Sequence, residues 1–202
     1  MPQQRRARLT RQSIVVAAAE EFDRTGYDAT PLSAILRRSG VTKGAFYFHF
    51  ASKEALALSL VESQARRWPR VRGDWLRREL DPLSIAVGML NEAARLIEQD
   101  VVLRAGTGLA RHRIATAGCS DSEPDWESLL LDLLRRASEG GLLRPGVDPE
   151  AVARVAYAAL VGARVIGSTR RGPGTATRME ETWRVTLQGV ASPEWLSNRR
   201  SR

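Results

Sequence analysis

The chain has one cysteine, Cys119, and two histidines, His49 and His112. A single thiol excludes an intramolecular disulfide, and so few soft ligands argue against a structural zinc site. No apolar run approaches the roughly 20 residues of a membrane span, so no membrane partner is expected. No glycine loop that could cradle a phosphate is recognisable, nor a nucleophile beside a base. His112 and Cys119 have no partners at catalytic spacing and read as structural or surface residues. No enzyme, catalytic residue, cofactor or metal is therefore expected. β-Alternation, internal repeats and long low-complexity tracts are missing too, which leaves an all-α chain. Met1 to Arg11 is basic but leads into an amphipathic helix rather than an apolar block. No signal peptide is expected, and the chain is read as cytoplasmic.

What is present is positive charge, unevenly placed. The 202 residues carry a net +8. Residues 1–53 hold nine Lys/Arg against four Asp/Glu, a net of +5. The remaining residues hold 22 against 19, a net of only +3. Concentration at one end favours a phosphate partner there; a merely solubilising basic surface is the other reading.

Helical periodicity runs along the whole chain. Residues 1–8 read as a mobile arm, followed by a helix from about Thr10 to Arg24 with Ile14, Ala18 and Phe22 in line. Ser52 caps a fourth helix, and Pro69 is expected to end or kink it. Further helices are expected over about 82–99, 101–114, 124–139, 150–168 and 177–189. Ala115 to Pro124 and Arg171 to Gly174 read as breaks. Two domains follow: a small one at 8–68, with a motif at about 31–50, and a larger helical one at 69–202.

The segment Thr30–Glu54, TPLSAILRRSGVTKGAFYFHFASKE, is the most informative. Thr30–Pro31 opens a short helix with Leu32, Ile35 and Leu36 on one face. Gly40 sits where a turn needs positive φ. Thr42 caps a second helix with Phe46 and Phe50 turned inward. Its outer face is Lys43, Gly44, Tyr47, Phe48 and His49, an odd set for a helix that only meets water. A helix-turn-helix with its second helix in the major groove of double-stranded DNA accounts for it. Lys43, Tyr47 and His49 offer donors to phosphates. Gly44 and Ala45 let the backbone approach base edges, and an alanine methyl can touch a thymine methyl. Phe48 is a further groove contact, with internal packing of Tyr47 and Phe48 as the alternative. Thr42 opens the helix; Thr30, Ser33 and Lys53 complete the candidate DNA-binding set.

These residues carry a resemblance. GVTKGAFYFHFASKE resembles the core of the DNA-binding domain of TetR-type transcriptional repressors at every position of that pattern. The longer string ILRRSGVTKGAFYFHFASKEALA resembles the γ-butyrolactone autoregulator receptors of actinomycetes. So do Arg104–Ala105–Gly106–Thr107, Asp148–Pro149 and Trp183–Arg184, in the expected order. The resemblance implies a homodimeric repressor on a palindromic operator, released by a small hydrophobic effector bound in the helical core.

In that subgroup a tryptophan at the place of Trp126 lies over the ligand, although a Trp on an apolar stripe is also ordinary core. Gln64 shares a helix stripe with Leu56 and Leu60. It is either an inward amide in need of a partner, which a ligand could supply, or a surface glutamine. Leu60, Gln64, Trp126, Leu130 and Val161 form the candidate ligand set. Val161 departs from the receptors, which tend to carry a hydroxyl residue just before Gly162. The pI of 10.8 departs as well, since true receptors are usually acidic. Both departures resemble the pseudo-receptors, which answer to antibiotics or pathway intermediates; a true butyrolactone receptor is the alternative. Ala156, Ala159, Gly162, Ala163, Trp183 and Leu187 form the candidate dimer interface, with intrachain packing as the other reading. Two rivals from other classes are a basic-surfaced enzyme and a sequence-neutral DNA-packaging protein.

Overall fold

The structure is a computed structural model that describes residues 2–117, 126–167 and 172–200. Its described elements are ten helices: α1 (Pro2–Thr25), α2 (Leu32–Ser39), α3 (Lys43–His49), α4 (Lys53–Leu76), α5 (Pro82–Gln99), α6 (Val101–Ala117), α7 (Trp126–Glu139), α8 (Pro149–Gly167), α9 (Thr175–Val190) and α10 (Pro193–Arg200). No strand occurs among the described residues, only a single antiparallel bridge between Leu143 and Ala191. Cys119 and most of the expected break at 115–124 lie outside the described residues, as do residues 168–171. No described helix is long and apolar enough to cross a membrane.

The chain divides into two compact units. One comprises Met1–Trp68 with Gln99–Glu123; the other comprises Pro69–Glu98 with Pro124–Arg202. The first unit therefore holds α6 in addition to the N-terminal helices. Its core is Ile14, Ala18, Phe22, Ile35, Phe46, Phe50, Leu56, Leu60 and Leu109. Arg104 of α6 binds Asp23 of α1 at 3.0 Å, tying α6 to α1 at their edge. Gly106 lets α6 come against α4. A Cβ there would lie 2.5 Å from the Leu60 carbonyl oxygen and 3.2 Å from the Gln64 Cβ. Such a contact with backbone has no flexible atom to yield.

In the second unit, Trp75 at the end of α4 lays its ring on α5, where a Cβ at Gly88 would collide with the indole. Its Nε1 donates to Glu92 at 3.1 Å, and the Arg78 guanidinium stacks 3.6 Å over the ring. Asp81 caps α5 by accepting from the Ser84 N–H at 2.8 Å. The same carboxylate accepts from the Trp195 indole at 3.0 Å and so anchors α10. Burial pushes Asp81 up, but its bonds from Ser84 and Trp195 outweigh that and hold it below the usual carboxylate range. At the other end of α5, Glu98 accepts from the Ala176 N–H at 2.8 Å, placing a carboxylate at the positive end of α9.

Three differences from the sequence reading have physical causes. The expected arm at residues 1–8 is helical: α1 begins at Pro2. Its Gln, Arg, Ala and Leu residues are good helix formers, and Pro stands where its missing N–H is harmless. Second, α4 continues through Pro69 to Leu76. The lost hydrogen bond is offset by burial of Val71 and Trp75 beyond it. Third, α10 was not expected. Eight residues with one strong apolar anchor, Trp195, leave little periodicity to detect.

Candidate DNA-binding head and buried amide

The turn between α2 and α3 is built as its sequence requires. Gly40 closes α2 at φ 66°, a left-handed conformation that side-chain-bearing residues resist. Val41 and Thr42 follow, and the Thr42 hydroxyl accepts from the Ala45 N–H at 3.2 Å to cap α3. Phe46 and Phe50 enter the core, both nearly inaccessible. Tyr47 is half exposed and Phe48 is 80% exposed. Thr42, Lys43 and Gly44 are exposed, Ala45 and His49 half-buried, and Ser33 of α2 faces outward. The ring contacts of Phe46 with Tyr47 and of Phe48 with His49, at 5.3 and 5.1 Å, are edge-on and fix side-chain direction. Among the described residues no side chain hydrogen-bonds to Lys43, the Tyr47 hydroxyl or His49.

Two of the proposed DNA contacts are engaged inside the head instead. Thr30 is wholly buried, its hydroxyl 2.6 Å from the Gly26 carbonyl and 2.7 Å from the Thr25 hydroxyl. It closes the α1–α2 loop and presents nothing to a groove. The Lys53 ammonium donates to the carbonyls of Tyr27 and Thr30, both at 2.9 Å, and lies 4.3 Å from the centre of the Tyr27 ring. Spacing along a helix shows which face a lysine starts from, not whether a neighbouring loop turns two carbonyls towards it.

Behind α3, Glu21 of α1 organises the basic residues of α2. It is buried, and its carboxylate accepts from Arg24 at 2.5 Å and from Arg38 at 2.6 Å. The Arg24 and Arg38 guanidiniums hold the Glu21 carboxyl below its ordinary range. Arg38 reaches Glu20 as well, at 3.0 Å. Arg37 has no such partner among the described residues and is exposed. His112 of α6 stands 3.4 Å from Asp28 and packs near Tyr27, on the side of the loop that Lys53 fastens.

Gln64 points inward on α4 and is fully buried, yet neither its Oε1 nor its Nε2 has a hydrogen-bond partner. Burying an amide without partners costs about 1–3 kcal/mol. Leu60 lies one turn earlier and is also fully buried.

The comparisons with known proteins agree with this geometry. Residues 14–60 match the model of bacterial regulatory proteins of the tetR family. The A-factor receptor protein of Streptomyces griseus is 34% identical over 194 residues, covering 96% of this chain and 68% of that protein. The chain belongs to the TetR family. A solved γ-butyrolactone receptor (ArpA-like protein) shares 34% identity at a TM-score of 0.73, covering 93% of this chain and 91% of that one. CprB from Streptomyces coelicolor, solved in complex with its biological operator sequence, shares 36% identity at a TM-score of 0.76, covering 94% and 92%.

In this TetR-family chain the remaining candidate ligand residues lie in the second unit. Trp126 and Leu130 of α7 are buried, and Val161 of α8 is half-buried. The small-residue stripe on α8 and α9 needs correction in register. Ala156, Ala163, Trp183 and Leu187 are buried within the protomer's own core, so they offer no surface to a second copy. Ala159 and Gly162 remain half-exposed. The apolar residues left outside are Val155, Val165 and Ile166 on α8 and Val185 on α9, the last 71% exposed. Two inward faces compete on such helices. Small residues fit either one, so size alone could not choose, but the β-branched residues at 155, 165, 166 and 185 were the overlooked signal.

Proposed function

We propose that this TetR-family chain is a dimeric transcriptional repressor whose α3 enters the major groove of a palindromic operator and whose DNA affinity falls when a small hydrophobic effector binds. The outward row of Lys43, Tyr47, Phe48 and His49 carries this reading. An aromatic ring 80% exposed beside a lysine and a phenol without protein partners is a poor solvated surface and a good groove surface. Residues 8–68, with α6 in the same compact unit, act as the DNA-binding head, and the second unit acts in dimerisation. The chain works in the cytoplasm, on chromosomal DNA, and is assigned no catalytic activity. A second copy docks on the face that exposes Val155, Val165, Ile166 and Val185, with Ala159 and Gly162 beside them.

For the effector, the unpaired Gln64 amide supports a neutral molecule that presents a carbonyl or hydroxyl. Val161 lacks the hydroxyl that would meet a lactone oxygen, which favours an antibiotic or pathway intermediate over a γ-butyrolactone. The similarity to the A-factor receptor protein and a γ-butyrolactone receptor supports the second reading, a true butyrolactone receptor.

The test is a mobility-shift titration on a duplex selected from a random pool, at several salt concentrations. Lys43→Ala and Tyr47→Phe should weaken binding while the thermal melt stays unchanged. Lys43→Ala should lower the salt slope by about one for each phosphate that is no longer neutralised. Unaltered affinity in both variants would remove α3 from the DNA. Release of the duplex by a butyrolactone, with none by antibiotics of several classes, would establish the true-receptor reading.

A further inference from the structure

The basic start of α1 is not absorbed by the recognition helix. Arg5, Arg6, Arg8 and Arg11 fall in the first half of α1, and the first acidic residue of the chain is Glu20. All four arginines are exposed. None of Arg5, Arg6 and Arg8 forms an ion pair among the described residues, whereas Arg24, Arg38 and Arg104 of the same unit all do. The segment is a regular helix rather than a loose tail: the Thr10 hydroxyl donates to the Arg6 carbonyl at 3.0 Å, within the turn that carries these arginines.

The position of this helical start is fixed by two anchors. The Arg11 guanidinium lies 4.8 Å from the centre of the Phe50 ring, the residue directly after α3. The Ser13 hydroxyl donates to the carbonyl of Ser39, the last residue of α2, at 3.2 Å. Both helices of the motif therefore touch α1 near residues 11–13. Arg5 lies six residues before Arg11, about 9 Å further along the axis at about 1.5 Å per residue. The exposed arginines thus lie within about two helical turns of the point where the motif touches α1, in the same compact unit as α3.

We propose that Arg5, Arg6 and Arg8 form a second phosphate-binding surface that grips the DNA backbone flanking each half-site. The inference rests on the DNA-binding reading of α3 and extends it. Arginines suit this task because the guanidinium binds phosphate with parallel donors. Three unopposed cations on one rigid helix add affinity and salt dependence without reading sequence. Specificity stays with α3, whereas the length of DNA needed for full affinity is set by α1.

The experiment compares the wild-type chain, the triple variant Arg5→Ala/Arg6→Ala/Arg8→Ala, and Lys43→Ala on two duplexes. One duplex carries about one helical turn, roughly 10 bp, beyond each half-site; the other is trimmed to the half-sites. Alanine keeps the helix, and the three side chains make no ion pair among the described residues, so circular dichroism should show an unchanged melt. On the long duplex the triple variant should bind more weakly. If all three arginines meet phosphates in both heads, its salt slope should fall by about five. On the trimmed duplex the wild type should fall to the triple variant's affinity and slope. Wild-type affinity and slope in the triple variant on the long duplex would overturn the inference. An equal loss on both duplexes would place the arginines inside the half-site and overturn it too. If Lys43→Ala weakens binding and the triple variant does not, only this inference falls. If the wild type retards no selected duplex, the DNA-binding reading itself falls.

Discussion

Replacing Gln64 with methionine should make the effector-free protein more stable, the reverse of what loss of a buried polar side chain usually does. Gln64 is fully buried, and both of its amide atoms lack partners. Methionine has nearly the same length and no branch, so it fills the same space with little strain. The variant removes an unsatisfied amide, worth about 1–3 kcal/mol, and adds no cavity. For a chain of this size about 1 kcal/mol moves Tm by about 2–4 °C, so a mid-range value of about 2 kcal/mol corresponds to a rise of about 4–8 °C. Differential scanning calorimetry on both proteins without effector measures this. The same variant should respond poorly to effector. Loss of a hydrogen bond of about 1.4 kcal/mol raises the concentration needed for half-release of the operator about tenfold. The gain in stability and the loss of response must appear together. A Gln64→Met protein with a lower Tm would mean that the amide is satisfied in solution, and the argument for its ligand role would collapse.

Two further outcomes follow from the packing. Val185→Arg introduces charge on the face of α9 that is open in the protomer, so the fold should hold while sedimentation shows monomer and operator binding fails; a dimer of undiminished stability would move the interface to another face. Glu21→Gln should lower Tm at neutral pH by a few degrees, from about 1–2 kcal/mol, because the exposed Arg24 and Arg38 can rehydrate once the carboxylate is gone. The folded pKa of Glu21 is depressed, so its contribution is present above the unfolded value, about 4.3, and is lost as pH falls through the folded value. The gap between the wild-type and variant melts should therefore close under acid; a gap that persists at about pH 2 would refute the ion-pair account.

The sequence made the head legible because its signals were local and agreed with one another. Gly40, the Thr42 cap and the Phe46–Phe50 spacing each specify the same turn and the same inward face. Gln64 was open between core and surface, and its stripe with Leu56 and Leu60 pointed to the side that packing adopts. What escaped depended on partners distant in the chain. Nothing near Lys53 in sequence announces that the carbonyls of Tyr27 and Thr30, 26 and 23 residues away, will meet its ammonium. Nothing near Ala156 or Trp183 says that the protomer's own core takes that face. Helix α10 escaped because its anchor, the Trp195–Asp81 bond, spans 114 residues. The arginines at 5, 6 and 8 looked like an arm because a polar, basic start without apolar periodicity shows no reason to be helical. The reason is propensity, which becomes effective once α1 is already nucleated downstream.

The Lys53 ammonium has a consequence beyond its three contacts. The helix-turn-helix lies between Thr30 and Lys53, and the two bonds from Nζ join the ends of that segment. They act as a reversible clasp around a closed ring of chain, a polar counterpart of a cross-link, and the cation above the Tyr27 ring strengthens it. Through this ring a displacement of the first turn of α4 would be passed to the α1–α2 loop. Acetylation of this one amine would remove the charge and open the ring, loosening the motif from behind while leaving every outward-facing side chain of α3 in place.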